Sequence, residues 1–317
     1  MSKNVLVYGW YHKNNIGDDL FVDAFRNLFP NLNLTFVDKF TKYNVENAAA
    51  IFIGGGSFLY DDIKQETGTL DLIKTKPVFY IGVGSETQIH NTHLELMKRA
   101  KLIAIRNNDK FLNIKNNINS SIIIIPDIVY SLKNVFFKSE FKKKNKSVLV
   151  IPNITLVPNI DDPHWKFASW QYFKSEFSQF LDYLVEEKYE LNFLSMCNNR
   201  KSCDSWAAIE IINNMRNKDS EYLLPIVSGS VDLARVLSNY SYIITQRFHG
   251  IILSEMMGIP CLTISHHDKL NYGNNLISYY RSNKDLLTHH FFNLKLKHNE
   301  YSFDLLQEYV NKSISSL

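Results

Sequence analysis

Short apolar runs and longer amphipathic stretches alternate along the whole chain. Val5–Tyr8, Leu34–Val37, Ala50–Ile53, Val78–Ile81, Leu102–Ile105 and Ile122–Ile125 are compact blocks dominated by apolar residues. Such blocks predict strands covered on both faces, hence a parallel sheet. After the first block, Leu20, Phe21, Ala24, Phe25 and Leu28 recur at helical spacing, with Asp18 as the expected N-cap and Pro30 as the stop. From Tyr130 to Ser147 the alternation lapses into a charged stretch, SLKNVFFKSEFKKKNK, and 136–147 reads as a linker.

Alternation then resumes. Strands are expected at Val148–Ile151, Leu191–Leu194, Leu223–Ile226, Tyr242–Thr245 and Cys261–Ser265. Helices are expected near Trp170–Lys188, at Trp206–Met215, at Val231–Leu237 behind a Ser230 cap, and from Gly250 to Met257, where Gly258 and Pro260 end the run. The pattern predicts an α/β protein of two Rossmann-like domains facing a cleft, spanning 1–135 and 148–317. A last helix, about Phe303–Ser313, is a candidate to pack back on the first domain.

Polar and glycine residues gather just after the strands. The first strand is followed by GWYHKNNIGDD, with Asn15 and Asp18, and the third by GGGSFLYDD, with Gly55, Gly56, Ser57 and Asp61. Gly84 follows the fourth strand, Arg106-Asn107-Asn108 the fifth and Pro126-Asp127 the sixth. In the second half Arg247 and His249 follow Tyr242–Thr245, and His266–Lys269 follow Cys261–Ser265. Ligands of open α/β sheets bind outside the carboxyl ends of strands, so a site in an interdomain cleft is expected.

Each group also has a plain structural reading. The glycines serve either a tight strand-to-helix turn or close approach of a ligand to backbone N–H groups. Asp18 suits a cap, Asn15 a turn and Asp127 a closed loop. Arg106 carries a fork suited to carboxylate or phosphate. The connection NITLVPNIDDPHWKFASW offers Asp162 and Trp165 to a sugar ring, or Trp165 to the core.

Composition narrows the classes. The chain has 317 residues, 45% hydrophobic and 21% charged, with a formal net charge of +3, so nothing demands a nucleic-acid partner. The three cysteines include no CxxC and suit a reducing cytoplasm. The first residues lack a signal-peptide pattern, and no uncharged apolar run reaches the roughly 18 residues of a spanning helix. The run Lys142–Lys144 with Lys146 reads as solvated surface, or as attraction to anionic lipid at the inner membrane face. No GxGxxG follows the first strand and no GxxxxGK[ST] occurs, which demotes dinucleotide oxidoreductases and P-loop enzymes. His266-His267-Asp268 has no third ligand at useful spacing, so no metal is expected.

Arg247 and His249 stand at the start of a helix. Its dipole favours an anion there, and Arg247 adds a bidentate donor. The same dipole favours a neutral imidazole while the site is empty.

Taken together, these strings resemble the polysaccharide pyruvyl transferases: NNIGDD (Asn14–Asp19), FIGGGSFLYDD (Phe52–Asp62), YIGVGS (Tyr80–Ser85), AIRNNDKF (Ala104–Phe111), IPDIVYS (Ile125–Ser131), TQRFHGIILSEMMGIPCLTIS (Thr245–Ser265) and Lys269. The R-x-H-x-x-x-L-x-E-x-x-G-x-P string is the most specific. The sequence departs from the family's pattern at Phe248, where leucine is usual, at Asn108, and at His266-His267 before Lys269. The resemblance implies a fold like that of the glycosyltransferase-B enzymes. It also implies transfer of pyruvate from phosphoenolpyruvate onto a saccharide acceptor, lipid-linked or polymeric, as a ketal, without metal, nucleotide or other cofactor. For that chemistry His249 is the expected general acid/base and Arg247 the anion holder. Arg106 and Lys269 are secondary anion contacts, and Asp61, Asp127 and Glu255 are candidates to orient sugar hydroxyls or the histidine. The alternative is a nucleotide-sugar glycosyltransferase of the same architecture; a third reading is a non-catalytic polysaccharide-binding factor.

Overall fold

The computed structural model describes residues 3–84, 88–106, 118, 120–137, 145–199, 202–219, 222–227, 229–266, 270, 275–296 and 299–316. The chain divides into two compact units. Unit 1 holds residues 1–13, 18–132 and 300–317, and unit 2 holds 14–17 and 133–299.

Unit 1 is built on six parallel strands: β1 (Asn4–Tyr8), β2 (Asn33–Val37), β3 (Ala50–Gly56), β4 (Val78–Val83), β5 (Leu102–Arg106) and β6 (Ile122–Ile125), in the order β2-β1-β3-β4-β5-β6. The connections carry helices α1 (Ile16–Leu28), α2 (Lys42–Glu46), α3 (Thr69–Thr75) and α4 (Asn91–Met97). Every residue of β3, β4 and β5 is buried, the result expected for apolar runs covered on both faces. One face packs Phe25, Phe29, Phe52 and Phe79 in a chain of ring contacts. The other packs Tyr8 on Phe40 together with Ile51, Ile53 and Tyr80. The C-terminal helix Asp304–Ser315 belongs to this unit. It buries Leu306, Val310 and Ile314, and Gln307 Nε2 donates to Leu28 O at 2.6 Å.

The glycine run does not form a strand-to-helix turn: β3 continues through Gly56. A Cβ on Gly54 would lie 1.9 Å from Ile81 O of the neighbouring strand, and one on Gly55 (φ +69) would lie 2.6 Å from the Phe21 ring. The glycines therefore let β4 and α1 close on the strand's end. Asp18 is the third residue of α1 rather than its cap, an acidic side chain in the first turn where the helix dipole favours it.

Unit 2 holds five parallel strands, β7 (Ser147–Ile151), β8 (Glu190–Phe193), β11 (Tyr242–Thr245), β12 (Cys261–Ser265) and β13 (Leu276–Ser278), in the order β13-β12-β11-β7-β8. A two-residue antiparallel pair, β9 (Asn198–Asn199) with β10 (Ser202–Cys203), stands beside them in sequence. The helices are α5 (Lys133–Phe137), α6 (His164–Glu186), α7 (Asp204–Asn214), α8 (Ser230–Leu237), α9 (Phe248–Met257) and α10 (Lys284–Phe292). Trp170, Phe173, Phe177 and Phe180 line the buried side of α6 against Ile211 and Phe291.

Several elements differ from expectation. Leu223–Ile226 makes no strand; Leu223 alone bridges Phe193, and Pro225 has no N–H to extend the ladder. The three-residue β13 was too short to stand out. Helix α6 starts at His164 behind Pro163, within the expected loop. Ser230 is the first helical residue and Gly229 the cap.

His93, on α4, is fully buried, with Nδ1 3.2 Å from the Tyr80 hydroxyl. Burial lowers its pKa to about 4. Its folded pKa lies below the unfolded value, so the unfolded chain binds the extra proton first. Stability is therefore expected to fall as pH drops from about 6.5 towards 4, by up to about 3 kcal/mol from this group, and to level below that. Chemical denaturation against pH checks it: the slope should be present in the wild type and missing from His93→Gln.

Candidate functional site

The candidate residues fall into two groups, one in each unit. In unit 1, Arg106 ends β5. Its Nη1 donates to Asp127 Oδ2 at 2.5 Å and its Nη2 to Ser57 Oγ at 2.9 Å. The guanidinium lies over the Phe21 ring, 5.8 Å from its centroid. Asp127 accepts a second bond from Val129 N at 3.0 Å. A Cβ on Gly84 would lie 2.8 Å from Arg106 Nη2, so the guanidinium packs closely on this glycine. Asp18 reaches the same strand ends: its Oδ1 is 3.6 Å from where Gly56 would carry a Cβ. The structure thus brings Asp18, Gly55, Gly56, Ser57, Gly84, Arg106 and Asp127 to the carboxyl ends of β3 to β6. The Arg106 charge is matched within the unit by Asp127, and both side chains are buried. Asp61 is exposed in the turn after β3, where its charge acts on the Tyr8 hydroxyl.

In unit 2 the central strand β11 delivers Gln246 and Arg247 at its carboxyl end, and α9 begins at once with Phe248 and His249. The Thr245 hydroxyl locks this corner, accepting from Arg247 N and donating to Arg247 O, both at 3.0 Å. Gly250 lets the helix sit tightly on the strand, since a Cβ there would lie 2.1 Å from Thr245 Oγ1. Arg247 is the N-cap residue, and its side chain does not cap the helix. It turns instead to Asp204, the first residue of α7, which accepts from Arg247 Nε at 3.0 Å and from Nη2.

His249 is half-buried, with its ring against the backbone of Gly17 and edge-on to Phe248. A Cβ on Gly17 would stand 2.2 Å from His249 Nδ1. The segment carrying Gly17 is held in unit 2 by backbone bonds. Ile16 N donates to Met196 O at 2.8 Å, Asn198 N donates to Asn14 O at 2.7 Å, and Asn15 bridges Cys197. Asn15 and Gly17 thus join Arg247 and His249; the strand-end pattern grouped Asn15 with them, whereas the seat of the ring on Gly17 had no sequence signal.

Other expected members stand elsewhere. Glu255 lies six residues beyond His249 on α9, about 9 Å along the axis, and accepts from Asn299 Nδ2 at 3.4 Å. Asp162 pairs with Lys166 at 2.7 Å, and Trp165 is 59% exposed, so it does not anchor the loop in the core. Asn107, Asn108, Lys142–Lys144, His267, Asp268 and Lys269 lie outside the described residues.

Three residues were missed from sequence. Asp204 carries no signal beyond being an acid ahead of a helix. Asn153 and Gln246 follow β7 and β11 directly, so the strand-end rule that flagged Arg247 applied to them too. Asn153 N donates to Gln246 Oε1 at 2.9 Å, and Asn153 Nδ2 lies 3.4 Å from His266 Nε2. Among the described residues no group of His, Cys, Asp and Glu is arranged to hold a metal ion, and no helix is long and apolar enough to cross a membrane.

The fold is similar to that of UDP-GlcNAc 2-epimerase from Methanocaldococcus jannaschii, with a TM-score of 0.60 and 9% identity over 100% of both chains. It is also similar to UDP-GlcNAc 2-epimerase from Neisseria meningitidis bound to UDP-GlcNAc, with a TM-score of 0.51 and 10% identity over 92% of this chain and 90% of that one. At such identities the likeness concerns the fold alone, a glycosyltransferase-B-like pair of Rossmann-like domains. No curated relative matches the chain in sequence. Residues 15–268 match the family model of the polysaccharide pyruvyl transferases, and the chain belongs to that family. Membership gives it a pyruvyl transferase role in polysaccharide synthesis.

Gly17→Ala should push the His249 ring aside while leaving the helix intact. Pyruvate transfer to the saccharide is expected to fall about 10- to 100-fold with little change in thermal unfolding. Wild-type transfer by that variant would show that the ring's seat on Gly17 is immaterial.

Proposed function

We propose that this protein transfers pyruvate from phosphoenolpyruvate to two hydroxyls of a saccharide acceptor, forming a ketal and releasing phosphate. The observation that carries the reading is the adjacency of Arg247 and His249 at the start of α9, with no side-chain cap from Arg247. An anion with a carboxylate and a phosphate suits a helix N-terminus beside a guanidinium.

In the proposed reaction His249 donates a proton to the methylene carbon of the enol, which becomes the methyl group. One sugar hydroxyl attacks the resulting cation-like carbon, and its proton restores the imidazole. The bond from that carbon to the phosphate oxygen then breaks, the second hydroxyl attacks, and its proton leaves with the phosphate. Arg247 steadies the departing charge. Arg106 acts through the unit 1 scaffold, because it is buried together with its partner Asp127. Lys269 is proposed as a further anion contact. No other cofactor enters this scheme.

Phosphoenolpyruvate should raise the melting temperature of the purified protein, whereas a nucleotide sugar should not. Stabilisation by the nucleotide sugar alone would favour the glycosyltransferase reading. His249→Ala should lower phosphate release, measured with phosphoenolpyruvate and the host's lipid-linked saccharide fraction, by about 10²- to 10⁴-fold. Undiminished release would remove the histidine from the reaction.

A further inference from the structure

We infer that Asp204 is a positioning residue for Arg247, so that the arginine works as an aimed donor rather than as a free positive charge. The inference rests on the proposed function for its kinetic consequence. Asp204 is fully buried, whereas the Arg247 side chain keeps 19% of its surface exposed. The carboxylate is thus out of a ligand's reach while the guanidinium is not.

Four donors converge on that carboxylate. Arg247 supplies Nε and Nη2, Ile154 N donates to Oδ1 at 3.0 Å, and Cys197 N donates to Oδ2 at 2.9 Å. Asp204 is itself fixed from below, because its own N–H donates to Cys197 O at 2.8 Å and it opens α7. A carboxylate held this way cannot swing to follow the arginine; the arginine must conform to it. The fork geometry sets the plane of the guanidinium and leaves Nη1 outside the fork, on a side chain that is still partly exposed. Arg247 sits on a corner already locked by Thr245, so backbone and side chain are both set before substrate arrives.

Two consequences follow. Compensation by Asp204 removes most of the net charge of Arg247, so substrate affinity depends weakly on the pair. Turnover depends on it strongly, because a misplacement of about 1 Å can cost 10²-fold in rate. Asn at 204 keeps the shape but presents its amide N–H to one of the two guanidinium donors and to the backbone N–H sharing that oxygen, which turns the fork.

The test compares wild type, Asp204→Asn, Arg247→Ala and the double variant, with phosphoenolpyruvate affinity from calorimetry and kcat from phosphate release. Asp204→Asn should lower kcat at least ten-fold with affinity unchanged or tighter. The double variant should match Arg247→Ala within about three-fold, as for residues acting as one unit. Losses that multiply, or a wild-type kcat in Asp204→Asn, overturn the inference. If Asp204→Asn does not fold, the double variant, which lacks both charges, decides by the same comparison. If wild-type protein neither binds phosphoenolpyruvate nor releases phosphate, the functional reading fails instead. Asp204 is then judged by the Arg247 Nε–H resonance, identified by its loss in Arg247→Ala. That proton should resist solvent exchange in the wild type and exchange rapidly in Asp204→Asn; equal protection in both overturns the positioning role.

Discussion

A strand covered on both faces has no place for a charged side chain until it ends. That constraint organises both units of this protein. The central strands β3, β4 and β5 are buried at every position, and β11 is buried over Ile243–Thr245. Desolvating an unpaired charge within them would cost several kcal/mol. Arginine therefore appears at the last residue of β5 and two residues beyond β11, at the carboxyl ends of the strands.

The two units solve the same local problem in the same way. Arg106 and Arg247 each meet a buried carboxylate brought by another element, Asp127 after β6 and Asp204 at the start of α7. Removing one partner of such a pair typically costs about 3–5 kcal/mol, because the other charge is left buried. The outcomes differ in exposure. Arg106 is enclosed with Ser57 close beside Gly84, whereas Arg247 keeps part of its side chain exposed.

Most strands and the helix after β11 were legible because their signals are local: apolar block length, helical spacing and a closing Gly258. The failures were local conflicts resolved by tertiary context. Leu223–Ile226 has strand composition, but Pro225 removes a ladder donor; β13 is three residues long and takes its register from β12. The glycine run suited either a turn or a ligand's approach to backbone N–H groups; its residues continue β3, with Ile81 and Phe21 packed close against them. Glu255 shares a motif string with Arg247 and His249, but a rise of 1.5 Å per residue carries it away from both.

The sequence by itself determined the parallel α/β architecture, the family and the pairing of an arginine with a histidine at one helix start. Each of these depends on residue types at short spacing, which a linear string records. Only the tertiary structure decided which carboxylate pairs with Arg247, that Gly17 seats the His249 ring, and that Asn14–Gly17 is grouped with unit 2 rather than with the strand it follows. Residues 17, 204 and 247 are far apart in the chain, and nothing in their local spacing encodes the hydrogen bonds that bring them together.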